Sequence, residues 1–235
     1  MDEIAQLGCY YCNARLNSVF SEINAAQAEE LNKAKCCRLF KKGQVIFDEG
    51  TYPHGLYCVN NGKIKIIQAG ADGREQILHL AKNGDIMGYR ALLSGDKYSC
   101  SAVAMEDSCL CFIPAGVFTG MVEHNARLAL NIIRLFSDEL KEAEKTITDI
   151  AQKTVKERLA QGILLLYRYY GTEADGKTIN VQVTREEIAD IVGTVRETVT
   201  RSLMEFDKEK IIKLEGKKIK ILNHARLIAT ANVFD

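Results

Sequence analysis

The sequence predicts an α+β protein: an antiparallel β-roll, one long helix, and a small C-terminal domain of helices with a two-stranded wing. Three observations predict it. Between Arg38 and Pro114, short β-rich runs alternate with Gly, Asn and Asp turn signals. From Asn125 to Gly171 no proline interrupts a helical pattern of apolar residues. Beyond Thr184, two amphipathic stretches flank Gly193, and alternating apolar and basic residues follow around Gly216. The 235 residues allow one large domain or two smaller ones. A 47% hydrophobic composition with only two prolines supplies a packed core and argues against general disorder.

Residues 1–35 read as mostly helical, with Phe20, Ile23, Ala26, Leu31 and Ala34 at helical periods. The opening "MDEIAQLG" is acidic and lacks the apolar stretch of an export signal. The most apolar run, "GILLLYRYY", is far too short for a bilayer, so the expectation is a cytoplasmic protein with no membrane partner. In that setting the eight cysteines are expected as reduced thiols, metal ligands or redox sensors and not as a disulfide framework. Buried thiols that pack as small hydrophobes are the plain alternative.

The roll is carried by "QVIFDEG", "GLYCVNNGKIKIIQAG", "EQILHLAKNGDIMGY", "YSCSAVAME" and "SCLCFIP", with turns at Asn60-Asn61-Gly62, Asp72-Gly73 and Asn83-Gly84-Asp85. In the long helical segment, Leu128, Ile132, Leu135, Ala143, Ile147 and Ile150 form an apolar stripe that a small roll would leave uncovered. A second copy of the chain is the natural cover, which predicts a homodimer, the alternative being a stripe that packs on its own domain. The domains are therefore read as 1–124 for the N-terminal segment and roll, 125–152 for a dimerisation helix, and 153–235 for the last domain. Gly162 and "YYGTEADGKTI" are expected to break the helical pattern.

The C-terminal domain reads as a helix-turn-helix. Thr184 and Glu187 form a capping box, and Ile188, Ala189, Ile191 and Val192 give the first helix an apolar side. Gly193 supplies the turn, and Thr194 with Glu197 predicts a second capping box. Val195, Val199, Leu203 and Phe206 are expected on the inner side of the second helix. Arg196, Glu197, Thr200 and Arg201 then share the outer side near its start, where such a motif reaches base edges. Arginine can donate twice to guanine, and glutamate can accept from cytosine, so mixed charge there suits base reading of double-stranded DNA. The alternative keeps Glu197 in its cap and pairs Arg201 with Glu197 or Glu205. Residues 208–226 add seven basic against two acidic side chains, a local excess suited to a phosphate backbone.

These stretches resemble the Crp/Fnr superfamily of bacterial transcription regulators over nearly the whole chain. The likeness rests on "KKGQVIFDEGTYPHGLYCVNNGKIKI", "GDIMGYRALLSG" and "TREEIADIVGTVRETVTR". It implies a cyclic-nucleotide-binding-like jelly roll, a dimerisation helix and a winged helix-turn-helix acting on palindromic DNA, with RNA polymerase as a further partner. Arg196, Glu197 and Arg201 match positions that read a TGA-containing half-site. Thr200 matches a position that tunes the outer base, and Thr184 and Arg185 match a phosphate clamp. Ser202 departs from the usual aliphatic residue.

The resemblance also frames the effector. Gly84 and Asp85 stand in the turn where cyclic-nucleotide binders carry glutamate, and Tyr98 before Ser99 stands where they carry a phosphate-binding arginine. Burying a phosphate without a paired cation is costly, so no functional cAMP binding is expected. Arg90 and Lys97 are expected as solvated loop charges. Oxygen-sensing relatives hold a [4Fe–4S] cluster on a C-x2-C-x5-C group and a distant cysteine. Cys9, Cys12 and Cys111 match three of those ligands, whereas Ser18 fills the third position of the motif. Cys36, Cys37 or Cys109 could complete four thiolates for a cluster or zinc, or the thiols could form a redox disulfide or stay inert. A sensor or scaffold whose last domain binds protein is the alternative function. An enzyme is disfavoured, because His54, His79, His124 and His224 are scattered and no nucleophile–base pair stands out.

Overall fold

In a strand, successive side chains point to opposite faces, and this alternation builds the first part of the chain. The computed structural model describes residues 8–232, so the acidic opening stretch, apart from Gly8, lies outside the described residues. The chain divides into two compact units, residues 1–140 and 141–235.

In the first unit, β1 (Cys36–Phe40), β8 (Ser108–Pro114), β3 (Gly55–Asn61) and β6 (Ile86–Met87) form one antiparallel sheet in that spatial order. The second sheet runs β2 (Val45–Phe47), β7 (Ser101–Ala104), β4 (Ile64–Ala69) and β5 (Glu75–Ala81). One shared core contains Phe40, Phe47, Val59, Ile64, Met87, Tyr98, Ala102 and Leu110. Residues of the other parity on the first sheet, Leu56, Cys58, Ile86 and Ile113, enter a second core. Phe20, Ile23 and Leu31 of the N-terminal segment cover them, with Phe118 and Met121 of α4 (Ala115–His124). Gly62 has to be glycine: its φ is +123°, and a Cβ there would lie 2.1 Å from the Ser108 hydroxyl oxygen.

The N-terminal segment is less helical than its periodicity predicts. A 3-10 turn (Cys9–Tyr11), α1 (Asn13–Leu16) and α2 (Ala25–Ala34) are separated by an irregular stretch holding Phe20 and Ile23. The cause is Arg15. Its buried guanidinium donates to the carbonyls of Cys9 (2.7 Å), Phe20 (3.0 Å), Tyr10 (3.3 Å) and Ser21 (3.3 Å), drawing the chain into a loop. Ser18 donates to the Arg15 carbonyl and accepts from the Phe20 N–H, so its hydroxyl serves this loop. Another unforeseen helix, α3 (Tyr89–Ser94), is bounded by Gly88 and Gly95, both left-handed.

The long helical pattern is split. α5 (Ala126–Gln152) ends before Thr154, whose capping box with Glu157 starts α6 (Val155–Tyr170). Gly162 is no breaker. It lies buried within α6, where a Cβ would come 3.4 Å from Val192 and 3.5 Å from Ile191. The apolar stripe of α5 is also divided. Leu128 and Ile132 are buried in the core of their own unit, and Leu135 is half-buried. The uncovered side is instead Ile133, Phe136, Leu140, Ala143, Ile147 and Ile150, spaced as two interleaved seven-residue repeats.

In the second unit, α7 (Arg185–Val192) and α8 (Arg196–Lys208) are followed by the hairpin β9 (Ile212–Glu215) and β10 (Lys218–Ile221), then α9 (His224–Ala231). Leu159, Ile163, Leu166, Ile188, Val199, Leu203, Phe206, Ile212 and Leu227 are almost wholly excluded from solvent. Among the described residues, no helix is long and apolar enough to cross a membrane.

Candidate nucleic-acid interface and cysteine site

The start of α7 follows from two residues. Glu187 N–H donates to the Thr184 hydroxyl at 3.1 Å, and Thr184 N–H donates to the Glu187 carboxylate at 2.8 Å. Such a cap contributes about 0.5–2 kcal/mol. Thr184→Ala is therefore expected to lower the urea midpoint by an amount corresponding to that range, and an unchanged midpoint would mean that the cap contributes nothing. Arg185 reaches across to the Gly216 carbonyl in the wing turn at 3.3 Å.

The second predicted cap does not form. Gly193, in the left-handed conformation, and Thr194 both direct their N–H groups to the Ala189 carbonyl, which draws Thr194 into the closure of α7. Val195 becomes the N-cap of α8, without a side-chain cap bond, and is 44% exposed instead of facing inward. Val199, Leu203 and Phe206 form the buried side as expected, and Ser202 is buried with them. Glu197 is thus released from capping. Arg196, Glu197, Thr200 and Arg201 line one open surface with Met204 and Lys208. Thr200 donates to the Arg196 carbonyl. Among the described residues, no ion pair engages Arg196, Glu197 or Arg201, and Glu205 pairs with Lys156 instead.

The wing is less positive than its sequence implies. Lys218 pairs with Glu173, Lys220 with Asp175, Lys213 with Asp207 and Arg226 with Glu209. Three of these acids lie outside residues 208–226, so counting charges within that stretch missed them.

The residues expected as an effector pocket do not come together. Gly84 lies against the carbonyls of Ala14 and Asn17, and Asp85 accepts from the Lys82 N–H. Tyr98 instead occupies the shared core between the sheets, stacked on Phe47 at 4.2 Å with its hydroxyl against Gly88. Burial raises its pKa to about 12. Ser99 is exposed. Lys97 is the exposed loop charge expected of it, whereas Arg90 lies on α3. Arg90 binds Glu139 at 2.6 Å and His79 at 2.8 Å, and Lys97 lies over the Tyr52 ring.

The cysteines converge further than their sequence spacing shows. Cys9, Cys12, Cys58 and Cys111 line one cavity with Arg15 and Lys35. Cys58 was not among the sequence candidates. Its strand parity is the signal that places it there, since it pairs with Cys111 across β3 and β8. Cys37 is opposite Cys111 on the other side, with the two Sγ atoms 2.6 Å apart. Cys36 points to the exposed face, and Cys109 is buried beside Leu39 and Asn61. Burial pushes Cys58 up to about 12. The hydrogen bond between Cys37 and Cys111 lowers the pKa of Cys37 and raises that of Cys111. Burial opposes the charge on Lys35, yet Cys9, Cys111 and Cys37 hold its pKa above the ordinary value. Among the described residues no three such groups are arranged to hold one ion. The donor set itself, four soft thiols beside two cations, suits an anionic thiolate-ligated group.

A jelly roll, a long helix and a winged helix-turn-helix with an open polar recognition face define a DNA-binding transcription regulator. Residues 37–125 match the cyclic nucleotide-binding domain, and residues 157–230 match the Crp-like helix-turn-helix domain. The chain is 30% identical to the fumarate and nitrate reduction regulatory protein of Vibrio cholerae, over 96% of this chain and 90% of that one. It is 28% identical to a CRP-like cAMP-activated global transcriptional regulator of Mycobacterium tuberculosis, over 82% and 86% of the two chains. The crystal structure of a Crp/Fnr-family regulator from Thermus thermophilus is similar with a TM-score of 0.71 and 28% identity, covering 84% of this chain and 99% of that one. The chain belongs to the Crp/Fnr family of transcription regulators, and these relatives are regulators, not enzymes.

Proposed function

We propose that the protein is a homodimeric regulator that reads palindromic, TGA-containing half-sites in double-stranded DNA under redox control from its roll. The observation that carries this reading is the face of α8, where Arg196, Glu197 and Arg201 are exposed and engaged in no ion pair among the described residues. Arg196 and Arg201 donate to guanine edges, Glu197 accepts from cytosine, and Thr200 tunes the outer base. Thr184 and Arg185 approach the phosphate backbone beside the wing. The uncovered heptad side of α5 meets its counterpart in a second copy, and RNA polymerase is the further partner of the bound dimer.

The same reading places the signal at the cysteines. Cys9, Cys12, Cys58 and Cys111 would hold an iron–sulfur cluster, which when bound supplies chemistry sensitive to oxidation. Lys35 and Arg15 offset its negative charge, and Arg15 fixes the loop carrying Cys9 by bonding the carbonyls of Cys9, Tyr10, Phe20 and Ser21. Control by cAMP does not fit these residues, because Tyr98, stacked on Phe47 in the core between the sheets, stands where cyclic-nucleotide binders carry the phosphate-binding arginine. Selection from a randomised duplex library, under anaerobic and aerobic conditions, tests the function. The expected result is one enriched palindrome, with binding that changes with oxygen and not with added cAMP. Recovery of no shared motif under either condition would overturn DNA reading.

A further inference from the structure

Three cysteines form a row across three strands: Cys37 on β1 faces Cys111 on β8, which in turn faces Cys58 on β3. Directly opposed residues of antiparallel strands hold their Cα atoms about 4.5–5.5 Å apart. That separation falls within the roughly 4.4–6.8 Å that disulfides bridge. Within the row, the short sulfur contact of 2.6 Å joins Cys37 to Cys111. Cys37 is half-buried, so a small oxidant reaches it more readily than the buried Cys58 or Cys111.

We propose that Cys37 and Cys111 form a reversible dithiol switch that closes to a disulfide in the presence of a hydroperoxide. The Cys37 sulfur attacks one peroxide oxygen. An S–O bond forms, the O–O bond breaks, and with hydrogen peroxide one water leaves. The Cys111 sulfur then attacks the oxidised sulfur. The S–S bond forms, the S–O bond breaks, and a second water carries off the remaining thiol proton. The thiol pair loses two electrons and the peroxide gains them.

A sulfur held in a disulfide cannot serve as a thiolate ligand. Closure therefore withdraws Cys111 from the cysteine-lined cavity, a consequence that rests on the cluster reading above. The row would then register peroxide separately from oxygen, because Cys37 takes no part in lining that cavity.

The test uses the full chain, reduced, stripped of metal with a chelator and treated anaerobically with stoichiometric hydrogen peroxide. Free thiols are blocked with N-ethylmaleimide, and the digest is mapped by mass spectrometry without reduction. The expected result is a Cys37–Cys111 cross-linked peptide with loss of two alkylatable thiols, both restored by dithiothreitol. Cys58→Ser keeps this cross-link and Cys37→Ser abolishes it. Recovery of Cys37 and Cys111 as alkylated thiols, a cross-link to Cys58, or one between chains would overturn the switch. Iron and sulfide uptake is then compared before oxidation, after it, and after dithiothreitol. Loss on oxidation with recovery on reduction is expected, whereas uptake unaffected by the cross-link overturns the exclusion of Cys111. A cross-linking protein that takes up no iron when reduced leaves the switch standing and removes the cluster reading.

Discussion

Arg201→Ala is expected to erase most of the preference for the palindromic target over random duplex while sparing the fold. A bidentate arginine–guanine contact discriminates by about 1–3 kcal/mol, or roughly 5- to 150-fold, and a dimer makes the contact once per half-site. The side chain is exposed and engages no ion pair among the described residues, so its removal leaves no buried group unpaired. Non-specific binding, which depends on phosphate contacts and salt, should persist apart from a modest decrease. Fluorescence anisotropy against both duplexes at one salt concentration checks this. Equal losses on the two would show that Arg201 supplies charge alone.

The combined change Leu140→Glu and Ile147→Glu is expected to yield a folded monomer. In a single chain these side chains are 62% and 68% exposed, so they contribute little to the core that surrounds Leu128 and Ile132. In a dimer each would lose about 1.5–3 kcal/mol of apolar burial per chain, and facing carboxylates would add repulsion, for about 100-fold or more weaker self-association. Sedimentation velocity should show a species of one chain's mass with unchanged far-UV circular dichroism. Affinity for the full palindrome should fall with it, because two half-sites are no longer engaged together. A variant that still sediments as a dimer would place the subunit contact elsewhere.

How far the sequence reaches depends on how local the deciding interaction is. The α7 cap is readable because Thr184 and Glu187 settle it between themselves. Thr194 and Glu197 present the same pattern, but the carbonyl of Ala189 captures the Thr194 N–H first and shifts the start of α8 by one residue. Thr154 and Glu157 present it again, within a segment whose apolar periodicity reads as unbroken. The cysteine row is legible only in part. Strand alternation separates Cys36 from Cys37, but pairing Cys37 with Cys111 requires a register between strands 74 residues apart. The effector pocket fails for a related reason. α3 lies between the Gly84–Asp85 turn and Tyr98, so Gly84 meets the N-terminal segment while Tyr98 joins the core between the sheets. Arg15 escaped notice because its partners are backbone carbonyls, which leave no trace in side-chain patterns.

The escorted wing has a consequence for how such a domain balances grip against discernment. A lysine whose carboxylate companion travels with it presents little bare charge, so a nearby phosphate must dislodge a tethered anion and not merely let free ions disperse. Lys213, Lys218, Lys220 and Arg226 all carry such companions. Attraction to arbitrary genomic sequence is thereby muted, and occupancy becomes less sensitive to ionic strength than a tally of lysines would suggest. More of the selection between sites then falls to the few side chains that can tell one nucleobase from another.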